Sequence, residues 1–200
     1  MLGVERQLAP EPDSLTFPYL NPHRLPAGTA QREGFQFEKG DISLAAKISL
    51  VDALSDTGVS TIEFTSFVSP KWVPQMADAD QMVAGIKRVP GVAYEAIWLN
   101  EAGLERAARL RAALALRPMF GVAATDTFTR KNTNRSVDEK IAELPGWARR
   151  YQALGMDWID VGVMAAFGCN YEGDVTPAQV IRVIEKVEEQ AVGCGSRLGN

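Results

Sequence analysis

The order strand, polar loop, helix recurs four times along this chain, at spacings of about 25 to 40 residues. Alternation of this kind is typical of βα units that share a parallel sheet. Right-handed crossovers leave two architectures for such units, an open doubly wound sheet or a (β/α) barrel. The sequence therefore predicts an α/β fold. The predicted strands cover residues 59–64, 92–99, 118–124 and 158–166.

The segments between these strands carry helix signals and long polar loops. Ser43 is a suitable N-cap and Gly58 a suitable stop for a helix over 42–57, and residues 136–139 form a capping box. Further helices are predicted over residues 74–88, 100–110, 136–154 and 176–191, and a basic loop over 125–135. The apolar stripe of the first helix is predicted to consist of Ile42, Leu44, Ala45, Ile48, Val51 and Leu54.

Both architectures stay open at this point, and the loops favour the barrel. No Gly-x-Gly-x-x-Gly follows a predicted strand, so nothing in the sequence supports a dinucleotide site. Long polar loops after the strands are typical of barrel enzymes. The first 28 residues are expected to be an irregular proline-rich arm, with residues 29–200 as a partial barrel domain. Residues 25–30 make a poor strand, so no first strand is predicted before Arg32.

The composition argues against some classes of binding partner and indicates a cellular compartment. The 200 residues, 46% of them hydrophobic, are enough for one domain with a full core. A net charge of −4, with interleaved acids and bases, argues against nucleic acid. No apolar run approaches the roughly 18 residues of a membrane span. Two cysteines suggest reduced thiols in a cytoplasmic protein. The single histidine, His23, excludes any site that needs two and is expected to be solvated.

Two groups of charged residues are candidates for a site. Glu63 is a carboxylate inside an apolar strand, which is costly to bury without a partner. Near the end of a parallel strand it would face the edge where ligands bind, although a strand-end glutamate can also simply reach solvent. Arg32 and Glu33 are adjacent and could hold an anion and a metal respectively. The alternative for this pair is a solvated turn.

Four ordered motifs resemble those of the 3-hydroxy-3-methylglutaryl-CoA (HMG-CoA) lyases. The most specific is Thr-Ser-Phe-Val-Ser-Pro-Lys-Trp-Val-Pro-Gln-Met over residues 65–76. The other three cover residues 31–36, 128–134 and 167–173. The resemblance implies a (β/α)8 TIM barrel that cleaves a 3-hydroxyacyl-CoA into a ketoacid and acetyl-CoA. It also implies a divalent metal, Mg²⁺ or Mn²⁺, an acyl-CoA as partner, and a place in leucine degradation.

The resemblance also implies roles for individual residues. Arg32 matches the family arginine and would stabilise the thioester enolate. Glu33 stands where the lyases carry a metal-binding aspartate and homocitrate synthases carry a glutamate, so it would be both a catalytic residue and the metal ligand. The implied substrate-binding residues are Gln36, Glu63 and Ser66, together with Lys131, Asn132 and Asn134 in a loop that would meet the CoA phosphates. Cys169 matches a non-catalytic cysteine and is expected to be structural.

Several features of the family are not found in these 200 residues. The His-x-His metal ligands, the asparagine ligand and the catalytic cysteine of a glycine-rich loop have no match, and about five of eight βα units are accounted for. The expectation is therefore an incomplete barrel that is inactive alone. Its open strand edges would favour association, which leaves a homo-oligomer open. The alternatives are a condensing synthase of the homocitrate or isopropylmalate type, and a non-catalytic fragment.

Overall fold

The structure, a computed structural model, describes residues 27–28, 34–35 and 40–199. The chain divides into two compact units, residues 1–103 and 104–200. Within the described ranges, no helix combines the length and the apolar character that crossing a bilayer requires.

The first unit contains a parallel three-stranded sheet in the order β1-β2-β3. Its strands are β1 (Ala27–Gly28), β2 (Thr61–Ser66) and β3 (Ala93–Ile97). Its helices are α1 (Leu44–Ser55), a 3-10 turn (Pro74–Met76) and α2 (Ala79–Gly85), and α3 (Glu101–Arg109) begins in this unit. The predicted order of strands and helices in this part of the chain is confirmed, with β2 beginning and ending two residues later than predicted.

The second unit repeats the arrangement with a parallel sheet in the order β4-β5-β6. Its strands are β4 (Met119–Ala123), β5 (Trp158–Met164) and β6 (Arg197–Leu198). Its helices are α4 (Asp126–Thr133), α5 (Val137–Ala142), α6 (Leu144–Ala153) and α7 (Pro177–Gly193). Parallel strands joined through helices confirm the predicted α/β class.

Helix α1 begins and ends where the sequence predicts but buries a different stripe. The Ser43 side chain accepts a hydrogen bond from the backbone N–H of Ala46 at 3.2 Å, and Gly58 has a φ of 86°, which favours glycine. The buried positions are Lys47, Val51 and Ser55, spaced four residues apart. Of the predicted stripe, Val51 is buried and Ala45 is exposed, while the other four residues are partly buried. The sequence did not predict that the other two buried positions are polar.

Two segments differ from the predicted secondary structure in the second unit. The predicted loop over 125–135 contains helix α4, which ends at Asn134 in a left-handed conformation with a φ of 56°. Asparagine tolerates this conformation and so can end a helix as glycine does. The single helix predicted over 136–154 is two helices, because Pro145 at the start of α6 has no N–H to continue the hydrogen bonds of α5.

The two shortest strands were not predicted. Ala27 and Gly28 pair in parallel with Thr61 and Ile62, although the sequence gives no strand there. Strand β6 likewise pairs with the start of β5. A strand of two residues is too short to show an alternating pattern in the sequence, so it is recognised only from its pairing with a neighbouring strand. The boundary of the N-terminal arm at residue 28 stays a prediction.

The capping box of α5 is confirmed and generates a prediction. The Ser136 side chain accepts from the Glu139 N–H, and the Glu139 carboxylate accepts from the Ser136 N–H at 2.6 Å. The hydrogen bond from the Ser136 backbone, with that from its hydroxyl, lowers the pKa of Glu139.

Because the folded pKa of Glu139 lies below its unfolded value of about 4.3, its stabilising contribution is present above pH 4.3 and is lost as pH falls through the folded pKa. We expect Glu139→Gln to melt at a lower temperature than the wild type at pH 7, and this difference to shrink below pH 4. Thermal melts at both pH values measure it, with the exposed Glu188→Gln as control. A difference that grows on acidification would contradict the assignment.

Candidate functional site

A β-bulge in β2 brings two of the predicted site residues to one face of the sheet. Glu63 pairs with Glu95 and Ser66 pairs with Ile97, while Phe64 has no partner on β3. Residues three apart on a regular strand point to opposite faces. The extra residue reverses this, so that Glu63 and Ser66 share the face that carries Glu95. We call the face formed by Glu63, Ser66 and Glu95 the carboxylate face.

The opposite face of the same strands packs on helix α1. The ring of Phe64 meets that of Tyr94 edge to face, with centroids 6.2 Å apart. The Tyr94 hydroxyl donates to Ser55 Oγ of α1 at 2.8 Å. The helix-facing side of the sheet is thus occupied by side-chain packing and by a hydrogen bond to α1. The carboxylate face is the side that remains available for another role.

The polar groups of the carboxylate face are buried. Glu63 is 8% exposed and Ser66 is 1% exposed, whereas Glu95 is partly exposed. The Ser66 hydroxyl donates to the Ile97 carbonyl oxygen at 3.4 Å, which also accepts from the Phe67 N–H at 2.7 Å. Sequence reasoning missed Glu95. The signal that singled out Glu63, a carboxylate inside an apolar strand, applies equally to Glu95.

The segment that follows Ser66, residues 67–78, is named here the motif loop. Val68 and Met76 of this loop form a buried cluster with Phe35. Gly103 lies against the start of the loop, where a Cβ would come within 2.4 Å of the Phe67 carbonyl oxygen. Trp72 at the tip is 80% exposed. The loop is therefore anchored at both ends and open at its tip.

Three predicted residues of the first motif, Arg32, Glu33 and Gln36, fall outside the described part of the chain, as does His23. The residues that flank them are described. Gly28 pairs with Ile62 of β2, and Phe35 packs on the motif loop. Among the described residues, no three His, Cys, Asp or Glu side chains come together in a group that could hold a metal ion. The donor set of the described residues therefore does not fit a hard divalent ion, which takes six or more oxygen ligands.

The predicted CoA-contacting residues lie together on α4 in the second unit. The Lys131 ammonium lies 4.8 Å from the centroid of the Tyr171 ring, a cation–π contact. The Asn132 amide donates to the Phe128 carbonyl at 2.9 Å, one turn back along the helix. Asn134 is the residue that ends the helix. These three residues thus lie in the last turn and the C-terminal cap of α4.

The loop after β5 is the predicted turn. Cys169 and Gly173 exchange two backbone hydrogen bonds of 2.7 and 2.8 Å. Glu172 of this turn accepts from the Thr127 N–H at 2.7 Å, which joins it to the start of α4. Because Lys131 contacts Tyr171 of the same turn, the turn and the helix form one polar surface.

A cavity of about 250 Å³ opens near these two segments, between α4, α5 and α7. Its charged lining residues are Asp126, Asp138, Glu172, Arg182 and Lys186. Lys186 and Asp138 pair at 2.6 Å, and Asp126 and Glu172 accept backbone hydrogen bonds. None of Lys131, Asn132 and Asn134 lines this cavity, so it does not coincide with the predicted site.

Cys169 is buried, and its thiol is polarised by a neighbour. The Thr125 hydroxyl donates to Cys169 Sγ at 3.1 Å. This hydrogen bond favours the thiolate and lowers the pKa of Cys169, against the opposing effect of burial.

We expect Thr125→Val to raise the pKa of Cys169, because the substitution removes the donor and keeps the shape. In a Cys194→Ser background, the rate of alkylation by iodoacetamide should rise with pH at a higher midpoint than in the parent. Thr127→Val, on the same segment, is the control. A midpoint that does not move would show that Thr125 does not act on the thiol.

The Thr65 hydroxyl is buried and has no hydrogen-bond partner among the described residues. Thr65 is 1% exposed and pairs with Ala96, on the helix-facing side of β2. A buried hydroxyl without a partner costs free energy that an isosteric apolar group does not.

We therefore expect Thr65→Val to leave the free energy of unfolding unchanged or to raise it. The matched control is Thr129→Val, also buried, whose hydroxyl donates to the Thr125 carbonyl at 2.9 Å; it should lose about 0.5–1.5 kcal/mol. Urea unfolding measures both. A loss at Thr65 as large as that at Thr129 would mean that the Thr65 hydroxyl has a partner, such as a bound water.

Comparisons with known proteins show which family the chain is similar to. The sequence model of the HMGL-like family matches residues 27–196. The chain is 41% identical over 163 residues to mitochondrial hydroxymethylglutaryl-CoA lyase of Rattus norvegicus, covering 82% of the chain and 48% of the relative. It is 41% identical over 165 residues to cytoplasmic 3-hydroxy-3-methylglutaryl-CoA lyase of Danio rerio, covering 82% and 47%. The chain spans about half the length of these relatives.

Solved structures agree with the sequence matches. The HMG-CoA lyase of Brucella melitensis is 36% identical with a TM-score of 0.73, over 88% of this chain and 61% of that one. An HMG-CoA lyase from Acinetobacter baumannii, solved with coenzyme A and 3-methylmalate, is 27% identical with a TM-score of 0.71, over 82% and 52%. Since the family model covers most of the residues and the parallel α/β fold matches, the chain belongs to the HMGL-like family, which has the TIM-barrel fold, with part of the strand set described.

Proposed function

We propose that this chain carries the acyl-CoA site of a hydroxymethylglutaryl-CoA lyase-like enzyme. The reaction is cleavage of the carbon–carbon bond of a short 3-hydroxyacyl-CoA into a ketoacid and acetyl-CoA. The 200-residue chain alone does not turn over, because the family's later metal ligands and its catalytic cysteine have no match in it. We also propose that the protein acts in leucine degradation. The lyase-like domain is proposed to cover residues 29–200.

The observation that carries the proposal is the bulge in β2. It turns Glu63 and Ser66 to the same face, at the strand end where barrel enzymes bind ligands. A bulge next to a strand end is a common way to re-aim a side chain toward a site. The side chains supply an acceptor and a hydroxyl for the acyl group, and Glu95 adds a second acceptor that sequence reasoning did not assign.

The placement of Arg32 and Glu33 near this face is part of the proposal. Support comes from their neighbours in sequence, since Gly28 pairs with β2 and Phe35 packs on the motif loop. Arg32 would direct its guanidinium at the thioester oxygen, which becomes negative as the bond breaks. A fixed cation aimed at developing charge is a large contribution to many enzymes. Gln36 would contact the same substrate.

The CoA end of the substrate is assigned to residues of α4 and its C-terminal cap. Lys131, Asn132 and Asn134 would meet the phosphates, with the Lys131 ammonium oriented by its contact with Tyr171. The Acinetobacter relative was solved with coenzyme A, which supports an acyl-CoA as partner here.

The divalent metal, Mg²⁺ or Mn²⁺, is a proposal that rests on Glu33 alone. The described residues offer no group of three ligands, so no step of the mechanism proposed here passes through a metal ion. A cytoplasmic location is proposed from the two free thiols, although relatives are named both mitochondrial and cytoplasmic.

A condensing synthase is the second candidate, favoured by the Arg32-Glu33 pair, which homocitrate synthases share. The motif over residues 65–76 and the lyase names of the relatives favour the first. Offering 2-oxoglutarate or pyruvate with acetyl-CoA would separate the two reactions.

The first test is turnover. With HMG-CoA and Mg²⁺, a coupled acetyl-CoA assay should show no activity of the 200-residue chain above the buffer blank. Turnover that Arg32→Ala abolishes would contradict the predicted inactivity and would establish the lyase reaction instead.

The second test is binding. By calorimetry, the chain should bind acetyl-CoA, and Ser66→Ala should weaken binding by roughly five- to tenfold through the loss of one hydrogen bond. The control is Ser69→Ala, at an exposed serine of the motif loop, which should bind as the wild type does. Absence of binding by the wild type would favour the non-catalytic alternative.

A further inference from the structure

Lys47 is a buried lysine in the first turn of α1 that the proposed mechanism does not use. It is 4% exposed. A buried ammonium is expensive unless it is paired and hydrogen-bonded. Its Nζ donates to both carboxylate oxygens of Asp78, at 3.0 and 2.9 Å, and to the backbone carbonyl of Gln75. All three donors of the ammonium therefore have an acceptor.

The partners of Lys47 lie in the motif loop and not in the helix that carries it. Gln75 and Asp78 close the C-terminal end of that loop, about 30 residues further along the chain. The Phe35 ring, from the first motif, lies 5.9 Å from the same ammonium. One side chain thus touches both segments that carry the specific motifs of the family.

Stability alone does not account for this arrangement. A buried ion pair replaced by apolar side chains of similar volume often costs nothing. Asp78 also precedes α2 at a position where an aspartate usually caps the helix, yet its side chain makes no capping hydrogen bond. The carboxylate is instead held by Lys47. The hydrogen bonds between Lys47 and Asp78 are directional, and they fix the path of the motif loop.

We propose that Lys47 is a positioning residue, whose contacts with Gln75, Asp78 and Phe35 hold the motif loop in the place where it borders the acyl-binding face. The proposal rests on the proposed function for the role of that face, but the geometry of the loop can be tested separately.

The test is trypsin cleavage after Lys71, which lies exposed at the tip of the motif loop. In the wild type the tip is closed by hydrogen bonds from the Trp72 and Val73 N–H groups to the Ser69 carbonyl, both 3.0 Å. Lys47→Met removes the ammonium and keeps the volume. We expect the Lys71–Trp72 bond to be cut at least tenfold faster, with cleavage after Arg135 in the second unit as internal reference.

Two variants separate positioning from general destabilisation. Val51→Ala opens a cavity in the same helix, one turn from Lys47, and leaves the Lys47 side chain in place. The pair Lys47→Met with Asp78→Leu replaces the ion pair by apolar contact, and this variant is expected to stay folded even where Lys47→Met alone does not. At a temperature where each variant is equally folded, only the variants that lack Lys47 should show fast cleavage.

Fast cleavage in Val51→Ala at equal folding, or wild-type resistance in the double variant, would overturn the proposal. Acetyl-CoA binding is measured on the same proteins. If the wild type does not bind and Lys47→Met is still cut faster, the positioning role stands and the proposed function fails. If the wild type binds and the loop is unaffected, the function stands and this inference fails.

Discussion

The extra residue at Phe64 of β2 is the constraint on which the candidate site depends. Side chains alternate along a strand, so a regular β2 would send Ser66 to the helix side and leave Glu63 alone on the other. With the bulge, the same strand directs Phe64 to the core side and Ser66 to the polar side. Phe64 completes the contact with Tyr94 and α1, and Ser66 returns to the carboxylate face. Core packing and the polar site are therefore compatible in a strand of six residues.

Polar groups that a core would normally exclude are concentrated around this strand end. Glu63, Thr65, Ser66 and Lys47 are all buried in the first unit. Each one breaks the rule that buried positions are apolar, and such local violations are expected at functional sites. They differ in how they are satisfied. The ammonium of Lys47 has three acceptors, whereas the hydroxyl of Thr65 has no partner in the described part of the chain. The first therefore specifies geometry, and the second only costs free energy.

The sequence predicted the order of elements and the helix caps, but not the details that make the site. Periodicity and turn residues are local signals, which is why α1, β3 and the capping box at Ser136 were found. The bulge is not local, because it exists only in the register of β2 against β3. Lys47 was missed because a lysine counts as a polar position in a helical pattern. Helix α4 was missed because its sequence is polar. The turn after β5 stabilises this helix, since Tyr171 contacts Lys131 and Glu172 accepts a hydrogen bond from the Thr127 N–H.

The residues assigned to the substrate fall into two sets, one for the acyl group and the bond that breaks and one for the CoA phosphates. Contacts to phosphates supply affinity for any CoA thioester, because they do not read the acyl group. Selection of the acyl group then has to come from the carboxylate face, where Glu95 adds a negative group next to Glu63. Carboxylates accept hydrogen bonds, so this face is suited to an acyl chain that carries a hydroxyl group, as a 3-hydroxyacyl-CoA does.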